Sequence, residues 1–175
     1  MVASMKIAAL GLLIVLTGAA LYGEEELAFK VYPIGTVKRS EGRTYIEVPD
    51  KYSQGLQGLD EFSHVTVVYW LDKNDTPEKR TRLTTSRVSK GEAVGVFATH
   101  SPVRPNLVAI SHCRIVSIEG NRVYIDEIDA FDDTPVIDLK CFIPYTYDRP
   151  DEEFRLPGWA RRVVAERQKK TEKKD

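Results

Sequence analysis

The strongest constraint on this chain is a series of short, β-branched runs set apart by turn residues. The clearest unit is Leu107 to Ile118, then Gly120-Asn121, then Arg122 to Ile128. Gly-Asn suits a two-residue turn that needs positive φ, so these runs predict a hairpin. Other runs flank it. Phe29, Val31 and Ile34 open an apolar segment, and Arg43 to Val48 alternates. Val65 to Leu71 is β-branched and aromatic throughout, as in a strand buried on both faces. Val94 to Thr99 and Val136 to Ile143 read as further strands. Six or seven strands with short connections predict a mainly β fold, a single closed or nearly closed barrel.

Helical signals are few. Pro49 to Gly58 predicts a short turn with Tyr52 and Leu56 inward. Asp72 to Gly91 is polar and charged and reads as a loop insertion. Trp159 to Lys174 predicts a C-terminal helix with Trp159 and Val163 on its apolar side. The N-terminus carries a different pattern. Lys6 precedes the uncharged stretch Ile7 to Tyr22, and Glu24, Glu25 and Glu26 follow. A basic start, an apolar stretch and a small-residue exit at Gly18, Ala20 and Gly23 match a secretory signal. Sixteen residues span about 24 Å as a helix, short of the roughly 30 Å hydrocarbon core. The expected organisation is therefore a signal peptide or anchor over 1–23, a barrel domain over 24–160 and a basic helical tail over 161–175. The expected location is periplasmic or extracellular, with membrane anchoring by residues 7–22 as the alternative.

Charge bears on partners. The tail from Arg161 to Asp175 has seven basic and three acidic residues. The body from Glu24 to Ala160 has 17 basic against 23 acidic residues. Nucleic-acid affinity comes largely from phosphate neutralisation by Lys and Arg, so an acidic body is a poor RNA platform. No Gly-x-Gly-x-x-Gly, Ser elbow, phosphate loop or His-Glu-x-x-His occurs. His64, His100 and His112 lack metal-ligand spacing, and no metal is expected. The two cysteines, Cys113 and Cys141, leave open one disulfide between neighbouring strands or two free thiols.

Two segments exceed what a generic barrel needs. In Gly95-Val-Phe-Ala-Thr-His-Ser-Pro-Val-Arg-Pro-Asn106 a strand enters a loop stiffened by two prolines. Arg104 there offers a planar, permanently charged fork for a carboxylate or phosphate. In Ile128-Asp-Ala-Phe-Asp-Asp-Thr-Pro-Val-Ile-Asp138, four aspartates fall within ten residues and need solvent or a cationic partner.

Together these segments resemble the TrmO/TsaA-like family of S-adenosylmethionine-dependent methyltransferases, over roughly Tyr32 to Trp159. Pro33-Ile34-Gly35 is similar to the family's opening strand, and Gly55 to His64 to its GLxGLExFSH segment. Gly95 to Ser111 is similar to GVFATRSPxRPNPIGLS, and Asp129 to Phe142 to DxxDGTPVLDIKPY. Leu156-Pro157-Gly158-Trp159 resembles its closing VPEW. The resemblance implies a barrel that binds S-adenosylmethionine and methylates N6 of a threonylcarbamoyl-modified adenosine beside the tRNA anticodon. It implies a cofactor site at His100, Ser101, Arg104, Asn106, Ile110, Asp129, Asp132 and Thr134. It also implies a homodimer, with tRNA as partner only for a cytoplasmic chain.

Several matched positions depart from the family pattern. His100 stands where the family has Arg, Leu107-Val108-Ala109 where it has Pro-Ile-Gly, and Asp133 where it has Gly. The segment between Gly35 and Gly42 lacks the family's Pro-Arg-Gln-bearing loop. Two function classes follow. One is the methyltransferase. The other is a non-catalytic exported binding or structural module on the same barrel.

Overall fold

The computed structural model describes residues 28–86, 91–143 and 156–171. The expected leader lies outside the described residues. The described residues of Val31–Asp175 form one compact unit. Its strands are β1 (Gly35–Ser40), β2 (Arg43–Glu47), β3 (His64–Trp70), β4 (Thr84–Thr85), β5 (Val94–Gly95), β6 (Val108–Glu119), β7 (Arg122–Ile125) and β8 (Pro135–Cys141). Six of them close an antiparallel barrel in the order β1-β2-β7-β6-β3-β8, and β4-β5 is a separate two-stranded ribbon. The mainly β, closed-barrel expectation holds.

Alternation builds the interior. Val37, Ile46, Val65, Val67, Cys113, Val123 and Val136 are at most 1% exposed and form the core with Val48, Tyr69, Ile125 and Ile128. Two bulges bend the wall. The β6–β7 register shifts between Ile115 and Ser117, which turns Val116 out to solvent. The β3–β8 register shifts between Val68 and Tyr69. The predicted Gly120-Asn121 hairpin is present, with Gly120 at φ 61°. The Asn121 carbonyl accepts from the Val48 N–H, and the Asn121 side-chain amide donates to the Val48 carbonyl. β1 and β2 are joined by Glu41-Gly42, with φ values of 54° and 75°. Positive φ at both central residues is the tight hairpin turn that matches strand twist. The segment between Gly35 and Gly42 is thus strand β1 followed by a tight turn.

Between β2 and β3 the chain forms α1 (Asp50–Ser53) and two single 3-10 turns. Leu56 and Leu59 are buried, and Tyr52 packs against the core. α2 (Pro77–Arg80) follows β3, and α3 (Gly158–Thr171) falls where the sequence predicts a C-terminal helix.

Two expectations need correction, and the open choice at the cysteines is decided for free thiols. The Val94 to Thr99 strand is only Val94–Gly95, followed by a 3-10 turn at Val96–Ala98. Val96 is buried, but Phe97 is 77% exposed, so the run does not feed the barrel core with both residues. The described part of the Asp72–Gly91 insertion is structured. A 3-10 turn over Asp72–Asn74 leads into α2, with Thr76 Oγ1 capping the Lys79 N–H and Pro77 in the first turn. Finally, Cys113 and Cys141 do not lie on neighbouring strands. Both pair across from Val65, on β6 and β8, with β3 between them. Two strand spacings place their Cα atoms about 9–10 Å apart, beyond disulfide reach. Both are free, and burial pushes the Cys113 thiol up to about 12, which leaves it inert.

Candidate functional site at one rim of the barrel

β6 and β8 both run antiparallel to β3, so their first residues lie beside its last ones. Tyr69 pairs with Ala109 on one side and Val136 on the other. The loop leading into β6 and the loop leading into β8 therefore emerge at the same rim. These two loops carry the two segments that stand out in the sequence.

The acidic loop, 126–134, is held from below by its backbone. Arg39 Nη2 donates to the carbonyl oxygens of Ile128 (3.0 Å) and Ala130 (2.7 Å), and Arg39 Nη1 to Thr44 Oγ1 (3.3 Å). Tyr69 Oη donates to the Asp129 carbonyl at 2.7 Å, and Ser111 Oγ lies 3.3 Å from the same hydroxyl. Burial raises the Tyr69 phenol, partly offset by the Ser111 contact, so it stays a proton donor. Three successive carbonyls, 128 to 130, are thus taken from the barrel side. Arg39, Ile128, Asp129, Ala130, Phe131 and Asp132 line an open cleft of about 390 Å³.

The carboxylates differ. Asp132 Oδ1 accepts from the Arg39 backbone N–H at 2.7 Å. Asp133 accepts from Lys38 Nζ at 2.6 Å, and that contact holds its carboxyl below the usual range. Asp129 keeps its side chain exposed while its carbonyl is tied down. Phe131 is 63% exposed and lies 4.4 Å beneath Lys73 Nζ, so this stretch of acidic loop already carries one cation against an aromatic face.

The second loop is braced within itself. Thr99 Oγ1 accepts from the Ser101 N–H, and Ser101 Oγ bonds both the N–H and the carbonyl of Val103. Arg104 Nη1 donates to the Thr99 carbonyl at 3.4 Å. Ser101 is 7% exposed and Thr134 3%, and Ser101's hydroxyl is spent on loop shape. His100 and Asn106 are exposed. Ile110 is not on either loop. It sits on the outer wall of β6 opposite Val68, 56% exposed. The structure thus brings Asp129 and Asp132 into one cleft and His100, Ser101, Arg104 and Asn106 onto one loop at the same rim. It sets Ile110 on the wall.

Two departures from the family pattern find structural answers. Asp133 adopts φ 67°, the left-handed conformation in which Asp is tolerated far better than most side chains. Ala109 is the second residue of β6, paired with Tyr69. No tight turn there requires glycine. Arg39, Tyr69 and Lys73 join the rim through contacts to the acidic loop that the sequence reading does not assign. Long-range partners place them there, and partners cannot be read along a chain.

The family model for the tRNA-methyltransferase O N-terminal domain matches residues 28–148. The chain belongs to the TrmO N-terminal domain family. A probable S-adenosyl-L-methionine-binding protein of Pyrococcus horikoshii is 42% identical over 130 residues, 73% of this chain and 92% of that protein. The tRNA (adenine(37)-N6)-methyltransferase of Mus musculus is 38% identical over 95 residues, which is 54% of this chain but 22% of the mouse protein. The crystal structure of TrmO from Pseudomonas aeruginosa superposes with a TM-score of 0.58 at 25% identity, covering 76% of this chain and 63% of that one. The alignment spans almost the whole of the archaeal relative but 73% of this chain. The longer methyltransferases carry further chain.

Proposed function

We propose that this TrmO-type domain binds S-adenosylmethionine at the two-loop rim and methylates N6 of adenosine-37 in tRNA. The observation that carries the reading is that both motif loops leave the barrel beside the end of β3, each with its backbone already braced. The donor set suits the ligand. An exposed Asp129 carboxylate and the Phe131 face suit a sulfonium cation, and Arg104 and Asn106 supply donors for a carboxylate or an adenine edge. When bound, S-adenosylmethionine would supply an electrophilic methyl group to N6 and leave as a neutral thioether, with the N6 proton passing to solvent. Such a transfer needs alignment more than proton shuttling, so fixed loops are the domain's main contribution. His100 replaces a permanent fork with an imidazole, which weakens whatever charge-assisted contact the fork makes.

Calorimetric titration of the full chain with S-adenosylmethionine tests this, beside a His100→Arg variant and a methylation assay on modified tRNA. We expect binding by the unmodified chain and tightening by roughly ten- to a hundredfold in the variant, the effect of about 1.5–3 kcal/mol from one charge-assisted hydrogen bond. No binding by either protein, with a cooperative melt proving the barrel intact, would rule the reading out.

A second reading has its own support. The leader-like N-terminus and the acidic body favour an exported, non-catalytic binding module. N-terminal sequencing of protein from its native host separates the two. A start between Ala20 and Glu25 is the outcome expected of export. A start at Met1 or Met5 in a cytoplasmic fraction excludes the exported module and leaves tRNA within reach.

A further inference from the structure

We propose that Arg80, on the insertion after β3, is a positioning residue that sets the conformation of the Ser101–Asn106 loop. The proposal rests on the reading above in treating that loop as ligand-facing. Arg80 closes α2, and its guanidinium is oriented by two neighbours. Nε donates to Asp75 Oδ1 at 2.7 Å and Nη2 to Asp75 Oδ2 at 3.0 Å, a two-point carboxylate contact. Trp70 Nε1 donates to the same carboxylate at 3.3 Å, and the guanidinium carbon lies 5.3 Å from the Trp70 ring centroid. With Asp75 and Trp70 fixing the plane, Nη1 points outward and donates to the Pro105 carbonyl at 3.1 Å. That carbonyl sits between Arg104 and Asn106, the two donors best suited to a ligand.

The strut is anchored at its own end. Thr76 caps α2, and Lys79 Nζ donates to the Lys73 carbonyl (3.1 Å) and to Asn74 Oδ1 (3.2 Å). The loop is held at its other end by the Leu71 N–H, which donates to the Leu107 carbonyl at 2.8 Å. Pro102 and Pro105 have no N–H to offer a ladder, so the loop depends on side chains for fixing. Ser101 and Arg104 serve its first half, and Arg80 serves its second. Asp75 is held below the usual carboxylate range chiefly by its hydrogen bonds from Arg80, in keeping with the two-point contact. A lysine cannot replace this arrangement. Its single ammonium cannot span both Asp75 oxygens and still reach Pro105 in one fixed plane.

The test compares the full chain with Arg80→Met and Arg80→Lys. Hydrogen exchange is read at the amides of Val103, Arg104, Asn106 and Leu107 in ligand-free protein, with S-adenosylmethionine affinity read alongside. We expect at least tenfold faster exchange at these amides in both variants, with β3 and β6 unchanged. We also expect at least tenfold weaker binding, with the barrel's melting transition retained. Unchanged loop exchange in Arg80→Met overturns the proposal. So does faster exchange with unaltered affinity, and so does full rescue by lysine. The exchange comparison needs no ligand. Failure of the unmodified chain to bind S-adenosylmethionine would count against the functional reading alone, and exchange would still decide the role of Arg80.

Discussion

Replacing Leu107 with alanine is expected to lower the unfolding free energy by about 2–5 kcal/mol. Leu107 is 0% exposed, as deeply buried as the central valines. It stands just before β6, at the root of the motif loop, and its carbonyl ties that root to Leu71. Truncation removes apolar contacts and leaves a void that the prolines upstream cannot collapse into. Domains of this size are stable by only about 5–15 kcal/mol, so the loss is a large fraction of the total. Urea denaturation reads it as a lower midpoint at constant slope. Leu83, 58% exposed, is the control, and its alanine variant should stay within about 0.5 kcal/mol. A change at Leu107 below about 1 kcal/mol would show that the loop root adapts to the loss.

Gly35→Ala is expected to cost about 1–3 kcal/mol, the range for overpacking a filled interior. A Cβ on Gly35 would meet the Glu47 carbonyl oxygen at 2.9 Å and Ile46 Cγ2 at 3.2 Å. The first contact is backbone, so no rotamer change relieves it. Gly35 also pairs with Val136, so the displaced strand is the one that closes the barrel. Thermal melts should show a drop of roughly 2–4 °C per kcal/mol for a chain of this length. An unshifted melting temperature would mean that β1 can move away from β2 at no cost. By contrast Gly42, at φ 75° with nothing within 4 Å of where a Cβ would stand, is required for its conformation and not for space.

The strands and turns are legible because their signals are local. Alternation in Arg43 to Val48 and the Gly120-Asn121 turn each fix a segment without reference to the rest of the chain. Phe97 defeats a local reading for the complementary reason. Its neighbours look like a strand, but a 3-10 turn at Val96–Ala98 breaks the alternation and turns the ring to solvent. The motif loops are legible from composition and resemblance, yet what fixes them is not. Arg39 reaches Ala130 across 91 positions, and Tyr69 reaches Asp129 across 60. Such partners follow from the closed ring, and no periodicity encodes them. Leu107 and Ala109 illustrate the same limit from the other side. They read as losses from a ligand loop, whereas Leu107 is fully buried and Ala109 lies within β6.

The seam between β1 and β8 has a consequence for how the chain reaches this state. Its two registered pairs, Gly35 with Val136 and Thr36 with Pro135, join residues about 100 positions apart. Bringing such ends together carries a chain-length entropy cost of about 4 kcal/mol before any contact rewards it. The hairpins β1–β2 and β6–β7 are local and can form early, whereas ring closure waits for the last strand. During synthesis β1 therefore keeps one unpaired edge until β8 has left the ribosome, the interval in which an open strand edge most readily joins a neighbouring chain. The rim that gathers both motif loops is completed by that same closure, so the site cannot be assembled before β8 has been made.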